Sequence, residues 1–223
     1  MNKKILIILL AFMVAVVVGY ALFSSTLNIN GTATAKGDFK MEILNARVTS
    51  EVGSSGATAN VINNGKALEI TVPHLEYPGA YVEVTYDIKN SGTIDALYDS
   101  YNITGETDKI KALFNIKEMY YAPSNQSTET FRIYWDENND SEVEETANMV
   151  LEINYTQVDD KNTACTKLKE MQTTMDECSS FIITGEENCP PNKFDLNHDS
   201  YIDVGDVSTM SDIINLKMQC SSN

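Results

Sequence analysis

Oxygen-bearing side chains crowd one short stretch of the chain, FDLNHDSYIDVGD, residues 194–206. Four Asp and one Asn fall within twelve residues there. Carboxylates packed this densely repel one another unless a positive charge sits among them. Counted from Asp195, the oxygens fall at positions 1, 3, 5, 9 and 12: Asp195, Asn197, Asp199, Asp203 and Asp206. Position 7 is Tyr201, which offers its backbone carbonyl, and position 8 is Ile202, the apolar anchor of such a loop. A hard cation with roughly six to eight oxygen ligands calls for this spacing. The stretch therefore predicts a calcium loop with ligands Asp195, Asn197, Asp199, Tyr201, Asp203 and Asp206.

The elements that would hold this loop carry a helical period. Upstream, Cys165, Leu168, Met171, Met175 and Cys178 recur at three- and four-residue spacing, the stripe of an amphipathic helix. Downstream, Val207, Met210, Ile213, Ile214 and Lys217 form a second stripe that ends at Cys220. Together they predict a helix–loop–helix module over residues 158–223. Units of this size commonly need a metal or disulfides to stay folded.

Cysteine usage fits that need. The chain has four Cys, all in its last third: Cys165, Cys178, Cys189 and Cys220. An even number in an exported module reads as two disulfides, and no CxxC pair exists to suggest zinc. On one continuous helix, Cys165 and Cys178 would stand roughly 20 Å apart at ~1.5 Å per residue. A disulfide needs Cα atoms closer than about 7 Å. Unless the helix breaks, antiparallel helices predict Cys165–Cys220 with Cys178–Cys189.

Residues 24–157 have the period of strands instead. Leu68, Ile70 and Val72 share one face of LEITV. In YVEVTYDIKN, Val82, Val84, Tyr86 and Ile88 face one way, with Glu83, Thr85, Asp87 and Lys89 opposite. FKMEI, FRIYW and MVLEINYTQ behave alike. Asn64-Gly65 is a hairpin signal, and Asn90-Ser91-Gly92 marks another turn. The pattern predicts an antiparallel β-sandwich, jelly-roll or Ig-like, with one short helix at 108–114.

The N-terminus bears on compartment. MNKK precedes nineteen uncharged residues, ILIILLAFMVAVVVGYALF. A basic head with an apolar run is an export signal, and Gly19 and Ala21 place small residues for cleavage after Ala21. The run also reaches the ~20 residues that span a bilayer. Residues 1–23 thus read as a signal peptide or an anchor, and both place the rest of the chain outside the membrane. The expected location is extracellular, secreted or held on the cell surface. A formal net charge of −16 over 223 residues argues against nucleic acid.

The segment FDLNHDSYIDVGDVSTMSDIINL resembles one repeat of a type I dockerin, the calcium-dependent plug of bacterial cellulosomes. Asp at position 12, where EF-hand sensors carry Glu, favours that family. The resemblance implies calcium binding and a cohesin-like scaffold as partner. It departs from the family in having a single repeat, Ser200 at the sharp turn, and Val204-Gly205 where the partner is read. More softly, GYALFSSTLNINGTATA, VEVTYDIKNSGTIDALY and LEINYTQ resemble the TasA/camelysin group of exported sandwich proteins. That likeness implies a matrix or fibre role, in which residues 22–35 pair as a strand with a neighbouring subunit or serve as the first strand of their own sandwich.

Catalysis is not expected. The only His residues, His74 and His198, cannot supply HExxH, and no Ser-His-Asp set can be nominated. Two further features were candidates for binding. Residues 136–147 repeat the acidic spacing at Asp136, Asn138, Asp140 and Glu144 but end on Ala147, so a solvated loop is the plainer reading. Tyr134 and Trp135, with Tyr98, Tyr101, Tyr120 and Tyr121, could offer a sugar-stacking platform for cell-wall or other polysaccharide. The overall expectation is an exported bacterial surface or matrix protein that associates through its calcium module, by docking or self-association. The alternative is a carbohydrate-binding accessory protein docked to a cohesin-type scaffold.

Overall fold

Alternation of apolar and polar residues dictates most of the backbone. The computed structural model describes residues 37–138, 144–179, 189–199 and 201–220. Nine strands run in order: β1 (Met41–Val52), β2 (Thr58–Ile62), β3 (Ala67–Leu75), β4 (Tyr81–Asn90), β5 (Asp95–Thr104), β6 (Ile110–Phe114), β7 (Tyr120–Tyr121), β8 (Gln126–Trp135) and β9 (Glu145–Val158). They pair antiparallel in two sheets, ordered β1-β4-β8-β6 and β2-β3-β9-β5-β7. The protein is therefore mainly β. Expectations for residues 1–36, including the export segment and strand 22–35, lie outside the described residues.

Each period-2 run puts its apolar parity into the core. Leu68, Ile70 and Val72 of β3 are buried, as are Val82, Val84, Tyr86 and Ile88 of β4. These residues join Phe131, Ile133 and Trp135 of β8 and Met149 and Leu151 of β9 in one hydrophobic cluster. The Asn64-Gly65 turn joins β2 to β3, with both residues at positive φ. Asn90 turns the chain from one sheet to the other. Its buried amide donates to the carbonyls of Ile94 and Tyr121 at 2.8 and 2.9 Å, and its Oδ1 accepts Gly92 N–H.

One local expectation is corrected. Residues 110–114 are strand β6, not helix: Ile110, Ala112 and Phe114 also alternate, and all three are buried. Edge pairing with β8 (Ile110 opposite Trp135, Phe114 opposite Phe131) satisfies a backbone that five residues of helix could not stabilise. Asp87, on the face of β4 opposite the apolar stripe, is also buried; its carboxylate accepts Asn45 Nδ2 at 2.7 Å and Thr128 Oγ1 at 2.6 Å. Asn45 itself sits at φ +53 where β1 bulges, which bends its amide toward that partner.

Helix α1 (Lys161–Ser179) follows β9 directly. Asp160 caps it, accepting Thr163 N–H at 2.7 Å. Ala164, Leu168, Met175 and Cys178 are its buried stripe. A single turn, α2 (Pro191–Phe194), enters the acidic loop, and α3 (Val204–Asp212) leaves it, continuing as a π-turn over Ile213–Lys217. The entering helix is thus four residues long, and the long α1 stands further upstream. Proline at its first position sets this turn, and Phe194 buries its end.

The disulfides are Cys165–Cys220 and Cys178–Cys189, with Cα separations of 5.7 Å each. They close segments of 55 and 11 residues in sequence separation. On a chain-entropy account these contribute about 4 and about 3 kcal/mol by restricting the unfolded chain. The hydrophobic cluster runs without a break from the strands through Ala164, Leu168, Phe194, Leu196, Met210 and Ile213.

A second carboxyl lies still deeper inside the sheets. Glu129 of β8 is 2% exposed, directly opposite Tyr86 of β4. Its Oε1 accepts Ser127 Oγ at 2.7 Å, and that hydroxyl meets Tyr121 OH at 2.6 Å. Among the described residues its Oε2 has no hydrogen-bond partner, and neither has Tyr86 OH. Burial pushes the Glu129 carboxyl up to about 7, against the opposing pull of Ser127, Lys117 and Lys217. The folded state therefore holds a proton that the unfolded chain has lost above about pH 4. Stability should fall as pH rises from about 4 to about 7, by about 3 kcal/mol in total, and then level off. Thermal melts across this range should show that slope in the native chain and lose it in Glu129→Gln, which should be about 1–3 kcal/mol more stable at pH 8.

Candidate functional site: the acidic loop and its seat on the sheets

Asp195 is both the C-cap of α2 and the first acidic position. Its Oδ1 and the Oδ1 of Asn197 both accept the Asp199 N–H at 3.1 Å. Asp199 in turn accepts Tyr201 N–H at 3.0 Å through Oδ1 and the Asn197 amide at 2.9 Å through Oδ2. Short polar side chains that bond the backbone two residues on are what turn the chain here.

The far end of the loop is a capping box. Asp203 is the N-cap of α3 and accepts Gly205 N–H at 2.7 Å; Asp206, three residues on, accepts Asp203 N–H at 3.0 Å through Oδ2. The other oxygen of Asp206 reaches back across the loop to Leu196 N–H at 2.7 Å. Asp206 is wholly buried, and Asp195 is 1% exposed. Tyr201 is 62% exposed, and Ile202 packs half-buried against the core.

The electrostatics of this arrangement are unbalanced. No ion pair with Lys, Arg or His is formed by Asp199, Asp203 or Asp206 among the described residues. Burial raises the Asp206 carboxyl above the usual range, its two N–H donors oppose this, and the charges of Asp199 and Asp203 raise it further. The phenol of Tyr101 is raised first by burial and then by Asp195, Glu106, Asp206 and Asp199. The negative field of the loop thus extends onto the sheet.

Among the described residues, no three His, Cys, Asp or Glu side chains form a group that could hold a metal ion. The loop's carboxylates are instead turned onto its own N–H groups. The donors still suit a hard cation in kind: four carboxylates, the Asn197 amide oxygen and the Tyr201 carbonyl, in the order such a loop uses. Each carboxylate oxygen that accepts one N–H keeps a further lone pair. The fit lies in donor chemistry and uncompensated charge.

Elements remote in sequence seat the loop. A bulge between Tyr98 and Ser100 breaks the alternation of β5, so that both Tyr98 and Tyr101 turn their phenols to the segment 192–198. Tyr98 OH donates to the Asn192 carbonyl at 3.2 Å, and Tyr101 OH meets His198 Nδ1 at 2.8 Å. His198 Nε2 lies 3.3 Å from Glu106 Oε2, while the other oxygen of Glu106 accepts Ala112 N–H at 2.8 Å in β6. Gly105, between the end of β5 and Glu106, packs against the backbone of β9. It sits at φ +98, and a Cβ there would lie 2.1 Å from the Asn148 carbonyl. Ile116 N–H donates to the Leu196 carbonyl at 3.0 Å. Glu106 and Ile116 were not singled out from sequence, and Tyr101 was read only as part of an aromatic platform; no local pattern marks them as the seat of the loop.

Other expected sites fare differently. Asp136 Oδ1 accepts both the N–H and the side-chain amide of Asn138 at 2.9 Å, an ordinary Asx turn. Asp140 lies outside the described residues, and Ala147 at the closing position is buried in β9. The aromatic platform is not assembled. Trp135, Tyr98, Tyr101 and Tyr121 are all core residues at 3% exposure or less, because their strand parity faces inward. His74 is held by Ser55 Oγ at 3.2 Å. No helix of the described residues is long and apolar enough to cross a membrane.

The chain matches no family model, no curated protein sequence and no solved structure.

Asp206 closes the loop with two N–H bonds, one of them buried. Asp206→Ala should therefore destabilise the chain by about 2–3 kcal/mol even with a chelator present, because Leu196 N–H is left without an acceptor. Asp206→Asn, which retains an acceptor oxygen, should cost less. Urea unfolding of both variants in excess EDTA checks this.

Proposed function

We propose that this chain is an exported bacterial surface or matrix protein whose β-sandwich body carries a calcium-binding, dockerin-like element, and that it works by association and not by turnover. The observation that carries the reading is the loop 195–206. Its oxygens follow the calcium-loop order, its end carboxylates Asp195 and Asp206 are buried, and Asp206 has no basic partner among the described residues. A divalent cation would supply the missing positive charge and gather Asp195, Asn197, Asp199, Asp203, Asp206 and the Tyr201 carbonyl around it.

Export is supported by two disulfides, which persist in oxidising compartments, and by the basic–apolar N-terminal sequence. The exposed loop residues Tyr201 and Val204, 62% and 79% exposed, are the apolar groups through which such an element would meet a protein partner, whether a cohesin-like scaffold or a second copy.

Calcium titrated into the chain from residue 22 onward, followed by calorimetry and by molecular mass, tests this. The expected outcome is one site per chain, abolished in Asp195→Ala. A simultaneous rise in mass would assign the element to self-assembly; unchanged mass would leave docking to a foreign scaffold. Heat of dilution alone would sink the calcium reading.

A further inference from the structure

The loop is pinned to the sheets through positions 2 and 4, Leu196 and His198, whose neighbours at 1, 3 and 5 are the proposed ligands. Leu196 is a two-way joint. Its N–H donates to Asp206 Oδ1, and its carbonyl accepts from Ile116, just past β6. His198 is the second joint. Its ring nitrogens meet Tyr101 OH on β5 and Glu106 on the approach to β6, and its ring centroid lies 5.3 Å from that of Tyr101, edge to face, and 5.7 Å from that of Phe114. The side chain of His198 is only 15% exposed. Its φ of +57 is a left-handed conformation, uncommon for His, that turns the side chain out of the loop and onto the strands.

We infer that His198 is a positioning residue that couples cation occupancy of the loop to strands β5 and β6, so that binding stiffens the sheet body instead of merely folding a separable plug. The inference rests on the calcium reading above. Linkage makes it reciprocal: whatever factor calcium contributes to seating the loop, the seat contributes to calcium affinity. The loss of one hydrogen bond at such a joint corresponds to about a five-fold change in affinity.

The test uses three variants in the full chain. Tyr101→Phe keeps the ring and removes only the hydroxyl. His198→Asn removes the imidazole while tolerating the left-handed backbone. The third is the double variant. Calcium affinity is measured by calorimetry, and melting is followed with and without calcium by the fluorescence of Trp135. This is the only Trp in the chain, it is fully buried in β8, and it stands opposite Ile110 of β6.

In the native chain, calcium should raise the melting temperature reported by Trp135. Each single variant should bind calcium about five-fold more weakly and show a smaller calcium-induced shift. The double variant should lose little more than either single one, because both act through one contact. A merely structural role would lower all melting temperatures yet leave the calcium affinity unchanged. Calcium binding that is equally tight in all variants would overturn the coupling while sparing the calcium reading. An absence of binding in the native chain would overturn both.

Discussion

A single buried carboxylate ties the two ends of the acidic loop together. Asp206 accepts Leu196 N–H from the loop entrance and Asp203 N–H from the helix start, so one side chain fixes where the loop begins and where α3 begins. A neutral acceptor could make the same two bonds more cheaply, since burying a charge costs several kcal/mol when nothing offsets it. The retained charge, with Asp199 and Asp203 adding to the negative potential, is the physical ground for expecting a cation here.

The sheets contribute the other half of that constraint. Their aromatic residues form two groups: Tyr101 packs edge-on to Phe114 at 4.8 Å, and Tyr155 packs edge-on to Tyr98 and Tyr121. One phenol from each group, Tyr101 and Tyr98, reaches out to the loop segment. Lys217 adds a peripheral tie, donating to the Lys117 carbonyl and lying 3.7 Å from Glu118. The loop is thus seated by groups from β5, from the turn before β6 and from the segment after it.

Sequence reading succeeded where one periodicity dominated. The strand parities of β3 and β4 and the two helical stripes were legible because burial alone explains them. The pairing of Cys165 with Cys220 followed from helix rise, which excludes Cys165–Cys178, together with an antiparallel arrangement of the two helices. It failed at 108–114, where DKIKALF satisfies both a helical and an alternating pattern and only the exposed flank of β8 decides. Glu129 shows a subtler limit. Its parity with Phe131, Ile133 and Trp135 placed it inward, but its polarity disguised that. The seat of the loop was not legible at all. Tyr101 and His198 are 97 residues apart, and the bulge that aligns them leaves no mark in composition.

The bond between Cys165 and Cys220 has a mechanical consequence. It spans 55 residues and encloses the entire acidic loop. Tension applied beyond Cys220 would pass through sulfur to the first turn of α1, and from there to β9, which lies third among the five strands of its sheet. The loop would sit in a slack arm of the chain, shielded from the load. A cation bound there would be held by a closed ring, and pulling on the chain would not strip it out by drawing the loop straight.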